Sequence, residues 1–380
     1  MDTIDFRGAT MDSRKVEPGM LFVALKGENA DGRDFIPQAL ERGAAGVIEG
    51  REELVRAARE YRRSLNARTI GVTGSVGKTT TKEFLRAFLS QLGKTHATSG
   101  NFNNDIGLPL TILNCPRDAD FLVVEMGSNH PGEIAALCDI AQPDAGVVTC
   151  IGTAHLEFFG SREGIAREKS ALLAAAKDFG VAPAGSDFID VMRAACKGDF
   201  IEAPVDLHWM EYALAGVLPG AHNVSNACLA FAAAQRWGLT RQQAAAALEG
   251  FSLPGARWRK SERNGVLFID DSYNASPDSM IAALDALAAM PCDGRRIAIL
   301  GDMFELGPAS GELHRKVFDH AMSLGLQLVV GVGEESSRCI CHLAYKKPED
   351  VRKRLRVMAS AGDIVLLKAS HGMKLSSILD

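Results

Sequence analysis

The chain has 380 residues, and at roughly 150 residues per domain this length predicts two to three domains. Its net charge of −5 argues against a protein built to coat nucleic acid, so no nucleic-acid partner is expected. An apolar fraction of 47% with 23% charged residues is typical of a folded protein rather than a disordered one.

The sequence carries no recognisable membrane or export signal. It lacks a run of about 18 apolar residues, so no membrane span is expected. The start, MDTIDFRGATMDSRKVEPG, lacks the apolar region of a secretory signal. The eight cysteines form no CxxC pair, which argues against a structural zinc site or a redox dithiol. We therefore expect reduced thiols and a cytoplasmic protein.

In chain order, the first elements form a small α/β unit. Apolar pieces at 20–25 and 44–50 flank a turn-rich stretch, and the spacing of apolar residues predicts a helix over 51–63. Strand, loop and helix patterns then alternate, which predicts a parallel sheet covered by helices. The predicted strands of this second unit are 69–73, 121–126 and 145–150, and its helices include 78–92, 222–237 and 241–249.

A second α/β series follows residue 252. Its predicted strands are 266–271, 295–302, 326–333 and 363–370, and its predicted helices are 279–290, 310–323 and one that contains 351–358. The whole pattern predicts an α/β protein of three domains, with boundaries near residues 68 and 252: 1–68, 69–252 and 253–380.

A glycine-rich loop joins the strand at 69–73 to the helix that follows it. Small residues there let backbone N–H groups approach phosphate oxygens, and the helix start adds the positive end of its dipole. Lys78 would then reach the β- and γ-phosphates, and the Thr79 hydroxyl would bind Mg²⁺. Val72 stands where the usual GxxxxGK[ST] pattern has its first glycine. The loop residues assigned to a bound nucleotide are Gly74, Ser75, Val76, Gly77, Lys78, Thr79 and Thr80.

Two polar residues follow the next strands of the same predicted sheet. Glu125 ends the strand at 121–126, and His155 comes shortly after the strand at 145–150. Ligand sites in open α/β sheets lie at these strand ends. A carboxylate and a neutral imidazole there could hold a divalent cation. Taken singly, His155 fits a hydrogen-bonded loop histidine better than a ligand, but together with the phosphate loop the metal interpretation is favoured.

Longer motifs in this sequence resemble the Mur ligase family. They run in order from near Asp12 to near Leu375, and the segment DDSYNASPDSM resembles the branch that adds D-alanyl-D-alanine, the MurF type. The motifs are DSRKVEPGMLFVALKGENADGRDFI, GVTGSVGKTTTKE, GNFNNDIGLP, EMGSNHPGEI, IGTAHLEFFGS, LPGAHNVSNACLAFAAA, IDDSYNASPDSMIAAL, LGDMFELG and LLKASHGMKL.

The resemblance implies a three-domain architecture. A small α/β N-terminal domain would bind the UDP-linked substrate, a central P-loop ATPase domain with a mainly parallel sheet would bind ATP, and a C-terminal Rossmann-like domain would receive the incoming amine. The implied reaction is ATP-dependent addition of D-Ala-D-Ala to UDP-MurNAc-tripeptide through an acyl phosphate, in peptidoglycan precursor synthesis. Both steps build charge on oxygens, so cations and N–H dipoles should carry most of the catalysis.

The resemblance also implies roles for individual residues. Lys78 would hold the transferring phosphate, and Thr79, Glu125 and His155 would bind Mg²⁺, of which two ions are expected. Lys169 matches a lysine that is carbamylated in related ligases and then supports the metal site. Without that modification it would be an ordinary lysine on a helix surface.

The remaining implied contacts involve the nucleotide and the two substrates. For ATP, they are Asn223 and Asn226 beside the adenine, and Arg257 and Asp271 beside the ribose and phosphates; Asn223 could instead cap a helix. For the substrates, they are Ser13 and Arg14 at the UDP group, Asn103 and Asn104 at the sugar or peptide, and Asn274 and Ser276 at the dipeptide. A monomer is expected.

The sequence departs from the family between Lys169 and Pro219, where it is shortened, and at Ala369 and His371, which replace a Gly and an Arg. Histidine cannot form the bidentate carboxylate pair that Arg forms. Two alternatives therefore stay open. One is a similar ligase that joins another carboxylate and amine, and the other is a catalytically silent nucleotide-binding protein.

Overall fold

The computed structural model describes residues 6–27, 30–153, 156–205, 207–215 and 217–380. In this part of the chain the strands form one three-stranded sheet and two six-stranded sheets. His155, expected near the phosphate loop, lies outside the described residues. No described helix is both long and apolar enough to cross a membrane.

The N-terminal sheet is parallel, in the order β1-β2-β3. Its helix α2 presents apolar residues, including Leu54 and Ala58, to the neighbouring unit, where they join a core with the helices Gly107–Leu113 and Glu133–Ala141. Arg62 on this helix is buried and its Nε donates to the Ala141 carbonyl at 2.8 Å, so not every charge of the helix faces solvent. The elements are β1 Ala9–Thr10, β2 Leu21–Ala24, α1 Ile36–Glu41, β3 Gly46–Glu49 and α2 Arg51–Ser64.

The central sheet is parallel throughout, in the order β5-β6-β4-β7-β8-β9. Its inner strands are continuous apolar runs because helices cover both faces. The strands are β4 Arg68–Thr73, β5 Thr95–Ala97, β6 Phe121–Glu125, β7 Ala145–Val148, β8 Phe179–Pro183 and β9 Asp199–Ala203. The helices are α3 Lys78–Leu89, α4 Gly107–Leu113, α5 Glu133–Ala141, α6 Leu156–Phe159, α7 Arg162–Ala175, α8 Ile189–Ala195, α9 His208–Leu214, α10 Ala221–Arg236 and α11 Arg241–Leu248.

The C-terminal sheet has the order β10-β11-β15-β12-β13-β14, and only the β10–β11 pair is antiparallel. Strand β10 has the sequence RKSER and lies at the edge, which explains why apolar periodicity does not reveal it. The elements are β10 Arg259–Arg263, β11 Val266–Asp270, α12 Pro277–Ala289, β12 Arg296–Gly301, α13 Ser310–Ser323, β13 Leu328–Val332, β14 Leu343–Tyr345, α14 Pro348–Met358 and β15 Ile364–Lys368.

The short stretch after Lys169 still completes the central sheet. It contributes β8 and β9, each followed by one helix, and both strands pair in parallel with their neighbours. The shortened stretch therefore still supplies two strands at one edge of the central sheet. The carboxyl ends of β4 and β6 face those of β11 and β15 across one cleft, where ligand sites of α/β sheets occur.

Candidate active site

A cleft of about 1190 Å³ lies between the central and C-terminal sheets. It brings together most of the residues predicted for nucleotide and substrate contact. Those in its lining are Ser75, Val76, Gly77, Lys78, Thr79, Thr80, Asn103, Asn104, Glu125, Asn223, Asn226, Arg257, Asp271, Asn274 and Ser276. Gly74, at the start of the loop, and Lys169 are buried and do not line the cleft, and Ser13 and Arg14 line a separate pocket.

The phosphate loop has the backbone that its glycines predict. Gly74 and Gly77 take φ values of +143° and +83°, and a Cβ on Gly77 would collide with the Asn226 side chain. Helix α3 begins directly after it, at Lys78. The Lys78 ammonium donates to the carbonyls of Gly74 at 2.7 Å and Ser75 at 3.2 Å, and burial lowers its pKa. The N–H groups at the start of α3 therefore face the cleft beside a cation.

The Glu125 carboxylate is held at both oxygens. Thr79 Oγ1 donates to Oε2 at 2.9 Å, and Asn103 Nδ2 donates to Oε1 at 2.8 Å. Glu125 is 2% exposed. The hydroxyl, carboxylate and amide are hard oxygen donors of the kind that Mg²⁺ accepts, so Thr79 and Glu125 fit a magnesium site. Among the described residues, no three His, Cys, Asp or Glu side chains cluster as a ready-made metal cage.

Lys169 is a buried lysine rather than a surface one. Its ammonium donates to Ser128 Oγ at 2.6 Å and lies 5.7 Å from the centre of the Phe159 ring. Burial, and then the nearby Lys78 cation, lower its pKa to about 7. The preceding Glu168 accepts from the amides of Gly132 and Ile134, which anchors α7 beside the cleft. The alternative of an ordinary surface lysine is wrong, because Lys169 is 3% exposed.

Helix α10 places Asn223 and Asn226 in the cleft lining, where the Asn226 side chain lies against Gly77 of the phosphate loop. Asn223 is inside the helix, whose N-cap is Gly220, and its Nδ2 donates to the Pro219 carbonyl at 2.8 Å. The capping alternative for Asn223 is therefore wrong. Burial lowers the pKa of the neighbouring His222 to about 4, so that ring is neutral at pH 7.

On the C-terminal side, Asp271 is held by an ion pair. Lys368 Nζ donates to Asp271 Oδ2 at 2.5 Å and also to the Asn274 carbonyl at 3.2 Å. The Trp258 amide donates to Asp271 Oδ1 at 3.1 Å. The Lys368 ammonium thus ties the loop 271–276 to the end of β15.

The Tyr273 ring contacts two residues that the sequence analysis singled out, Arg257 and His371. The Arg257 guanidinium lies 3.6 Å from the centre of the Tyr273 ring, and the His371 ring lies 5.4 Å from the same ring. Arg257 lines the cleft, and the stacking of its guanidinium on Tyr273 is a cation–π contact. Tyr273 is therefore the platform between Arg257 and His371.

Other predicted substrate residues have local structural partners. Asn104 Oδ1 accepts from the amides of Ile106 and Gly107 before α4, and Ser276 caps α12. Asn274 Oδ1 accepts from the Ala275 amide. Beside them, Asp278 at the start of α12 accepts from the Thr153 amide at 3.4 Å, so the central and C-terminal units are in contact at this point.

The separate N-terminal pocket is lined by Met11, Asp12, Ser13, Arg14, Phe35 and Gln38. Ser13 Oγ donates to Gln38 Oε1 at 2.5 Å. Arg14 pairs with Asp12, and its side chain is 80% exposed. This pocket offers one exposed cation and two exposed apolar side chains, Met11 and Phe35, to a ligand.

Sequence reasoning missed Lys368, Tyr273 and Ser128 as residues of the site. Lys368 could have been predicted, because it ends the apolar strand IVLLK at the edge of the sheet where ligands bind. Lysine is rarely buried unless it is paired, so its position there indicates a functional role. Ser128 had none, since its role depends on the packing of α7 against the loop after β6.

Parallel strands that bring a glycine-rich loop, a carboxylate and a helix start to one cleft define a phosphate-loop nucleotide-binding protein of the α/β class. Three segments also match Mur ligase domains: the family's catalytic domain over 5–87, its middle domain over 72–203 and its glutamate ligase domain over 256–371. The chain belongs to the Mur ligase family. The predicted family and three-domain α/β fold are confirmed, while the boundaries near 68 and 252 stay a prediction.

Two relatives that align with nearly the whole chain are named for one reaction. The UDP-N-acetylmuramoyl-tripeptide–D-alanyl-D-alanine ligase of Bacillus subtilis is 35% identical, with 98% of this chain and 92% of that protein covered. The Escherichia coli ligase of the same name is 33% identical, with 99% and 93% covered. A MurF structure from Thermotoga maritima in complex with ADP superposes with a TM-score of 0.86, at 29% identity and with 100% and 97% covered. The alignment with the B. subtilis protein runs over 424 positions, which places gaps in this shorter chain.

Proposed function

We propose that this chain is an ATP-dependent amide ligase that adds D-Ala-D-Ala to UDP-MurNAc-tripeptide in peptidoglycan precursor synthesis. The observation that carries the proposal is the placement of Lys78, Thr79 and Glu125 in one cleft with Asp271 and Lys368. The relatives named for this reaction share nearly the whole chain. We also propose that the segments 1–68, 69–252 and 253–380 are its three domains.

In the first step, the substrate's terminal carboxylate would attack the γ-phosphorus of ATP, and ADP would leave. Lys78 and the amides of the phosphate loop would hold the transferring phosphoryl group and balance its charge. Arg257 and Asp271 would contact the ribose and phosphates from the C-terminal side. Asn223 and Asn226 would lie at the adenine.

Mg²⁺ would be held by Thr79 and Glu125, with His155 as a further predicted ligand outside the described residues. When bound, it neutralises charge on phosphate oxygens. Asn103 would orient the Glu125 carboxylate through its hydrogen bond to Oε1. We propose this role for Asn103 besides a contact to the substrate.

Lys169 is proposed to be carbamylated. A lysine with a pKa of about 7 is largely neutral at pH 8, so its amine can attack CO₂, forming the N–C bond and releasing a proton. The carbamate would carry a negative charge next to the Lys78 cation, which removes the like-charge repulsion that now lowers the Lys169 pKa.

In the second step, the amine of D-Ala-D-Ala would attack the acyl phosphate, and phosphate would leave after the amine has lost its proton. Asn274 and Ser276 would lie at the dipeptide, and Ser13 and Arg14 at the UDP group. Asn103 and Asn104 would face the sugar or the peptide, which lie between the UDP group and the incoming dipeptide. We further propose that the enzyme is a cytoplasmic monomer; the cysteines of the described residues are all free thiols.

The test is phosphate release from ATP and Mg²⁺ with UDP-MurNAc-tripeptide and D-Ala-D-Ala added singly and together, followed by mass spectrometry. We expect release only with both substrates present, and a pentapeptide product. ATP binding without turnover under these conditions would contradict the proposed substrates. Absence of ATP binding would contradict the proposed nucleotide site as well.

One observation favours a second candidate, a ligase that takes a different amine. His371 is exposed in the cleft lining beside Tyr273, at the end assigned to the incoming amine. An imidazole cannot form the bidentate pair with a carboxylate that a guanidinium forms. Phosphate release is measured with the tripeptide and a panel of amino acids and dipeptides. The second candidate predicts that at least one of these amines gives faster phosphate release than D-Ala-D-Ala.

A further inference from the structure

Thr98, directly after β5, makes an irregular junction with the strand that carries Glu125. Its amide donates to the Val123 carbonyl at 2.9 Å, as in a parallel ladder. The next ladder bond would run from the Glu125 amide to the Thr98 carbonyl. Instead, the Glu125 amide donates to the Thr98 hydroxyl oxygen at 3.0 Å. The Thr98 side chain has therefore replaced its backbone as the acceptor for Glu125.

The Thr98 carbonyl is released for another partner, the ammonium of Lys82. Lys82 Nζ donates to that carbonyl at 2.7 Å and to Glu83 Oε1 at 2.5 Å. Lys82 is 0% exposed, which is rare for lysine. Arg86 donates to the other oxygen of Glu83 at 2.7 Å. Burial alone would raise the pKa of Glu83, but Lys82 and Arg86 outweigh it and hold the pKa below its usual value.

These bonds connect the two side chains proposed to hold Mg²⁺. Thr79 lies on α3, one turn before Lys82, and Glu125 ends β6. Lys82 ties α3 to Thr98, and Thr98 ties β5 to the Glu125 backbone. The hydrogen bond from Thr79 to Glu125 closes the ring from the cleft side.

We propose that Lys82 and Thr98 are positioning residues that set the distance between Thr79 and Glu125 and thereby tune Mg²⁺ binding. The inference rests on the proposed function only in taking Mg²⁺ as the ion of this site. Neither residue lines the cleft. Loss of the Thr98 hydroxyl would leave the buried Glu125 amide without an acceptor, and the end of β6 would shift to find one. Groups that orient metal ligands typically change metal affinity by about 10- to 100-fold when removed.

The decisive experiment compares Thr98→Val with Thr98→Ser in the full chain. Valine keeps the shape but removes the acceptor, whereas serine keeps the acceptor. Thr111→Val is the matched control, because Thr111 is also buried but its hydroxyl donates to the Gly107 carbonyl within α4. ADP binding is measured by calorimetry with excess EDTA and again across a Mg²⁺ titration, and folding is checked by thermal unfolding.

We expect Thr98→Val to weaken the apparent Mg²⁺ affinity of the ADP complex about tenfold, with ADP binding in EDTA within twofold of wild type. Thr98→Ser and Thr111→Val should keep the wild-type Mg²⁺ dependence within about twofold. An unchanged Mg²⁺ titration in Thr98→Val, or an equal loss of ADP binding in EDTA, would overturn the proposal. The second result would mean general loosening of the phosphate loop.

Lys82→Met provides a second variant, since it frees the Thr98 carbonyl and leaves its hydroxyl in place. We expect the same selective loss of Mg²⁺ affinity, with a lower Tm because buried Glu83 loses a partner. Full Mg²⁺ affinity in Lys82→Met would overturn the positioning role proposed for Lys82. If Mg²⁺ does not increase the ADP affinity of the wild-type protein, both this inference and the proposed metal site are overturned. If Mg²⁺ does increase it but the protein does not ligate D-Ala-D-Ala, only the proposed substrates are contradicted.

Discussion

The phosphate side of the cleft and the N-terminal pocket differ in how their polar side chains are held. Glu125 is 2% exposed, and both of its oxygens accept hydrogen bonds from neighbouring side chains. Arg14 is 80% exposed at its side chain and has a single carboxylate partner, Asp12. The first region is arranged before any ligand arrives, whereas the second can adapt to one. Preorganised groups suit the transfer of charge, and adaptable ones suit recognition of a large substrate.

The C-terminal side of the cleft lies between these extremes. Buried Lys368 pairs with half-buried Asp271, but His371 is exposed at the same wall. We therefore expect changes on the phosphate side to reduce kcat, and changes toward the N-terminal pocket to act on KM.

The largest effect is expected for Lys78→Ala. Removing the cation at the transferring phosphate should reduce ligation by about 10³-fold or more, with the fold intact. Phosphate release and thermal unfolding measure the two properties. Lys197→Ala, which changes an exposed lysine, is the control. If the activity of Lys78→Ala stays within tenfold of wild type, Lys78 does not hold the transferring phosphoryl group as proposed.

Lys169→Met should lower kcat by about 10²-fold and also change how stability depends on pH. The unfolded chain binds a proton at Lys169 up to a pKa near 10.5, while the folded protein releases it near 7. Wild-type stability should therefore rise with pH across this window relative to the variant, by at most about 1.4 kcal/mol per pH unit in CO₂-free buffer. Denaturant unfolding at pH 6, 8 and 9.5 measures this slope. Parallel pH profiles for both proteins would show that Lys169 titrates normally.

Lys368→Met should weaken the C-terminal half of the ATP site. Without the ammonium, the loop that carries Asp271 and Asn274 loses its tie to β15, and we expect kcat/KM for ATP to fall by about 10²-fold with a lower Tm. Steady-state phosphate release as a function of ATP measures the change. Lys316→Met, on the exposed face of α13, should behave as wild type. A loss of stability without a rise in KM for ATP would indicate a purely structural pair.

His371→Arg should improve the grip on a carboxylate. If D-Ala-D-Ala is the amine, its KM should fall by about tenfold with little change in KM for ATP, because a guanidinium can form a bidentate pair. Initial rates at varied dipeptide measure it, with His320→Arg on α13 as the control. An unchanged or higher KM would support the candidate that uses another amine.

Arg14→Ala should have the smallest effect. We expect a several-fold rise in KM for UDP-MurNAc-tripeptide and no change in kcat or Tm, because the Arg14–Asp12 pair is on the surface. Arg33→Ala removes the equivalent surface pair with Asp31 outside the pocket and serves as the matched control. Equal effects of both variants on KM would argue against a UDP contact at Arg14.

Much of the fold follows from local pattern. The continuous apolar runs of β4, β6, β7 and β15 and the loop before α3 are readable because buried parallel strands and phosphate loops impose these residue types. The short strand β5 and the polar edge strand β10 escaped the pattern, since neither buries enough apolar surface to show alternation. The two strands after Lys169, β8 and β9, lie in a short stretch without a clear strand pattern, and they are identified only by their pairing in the sheet.

The sequence by itself determined the family and the three α/β units, and it predicted Lys78, Thr79 and Glu125 for one phosphate site, because each depends on residue types at fixed spacing. Only the tertiary structure decided that Lys169 is buried against Ser128, that Asn103 holds Glu125, and that Lys368 pairs with Asp271. These partners are far apart in the chain, so no local periodicity encodes their contact. Burial then sets the charge of such groups, since a pKa depends on the surroundings that only the folded chain provides.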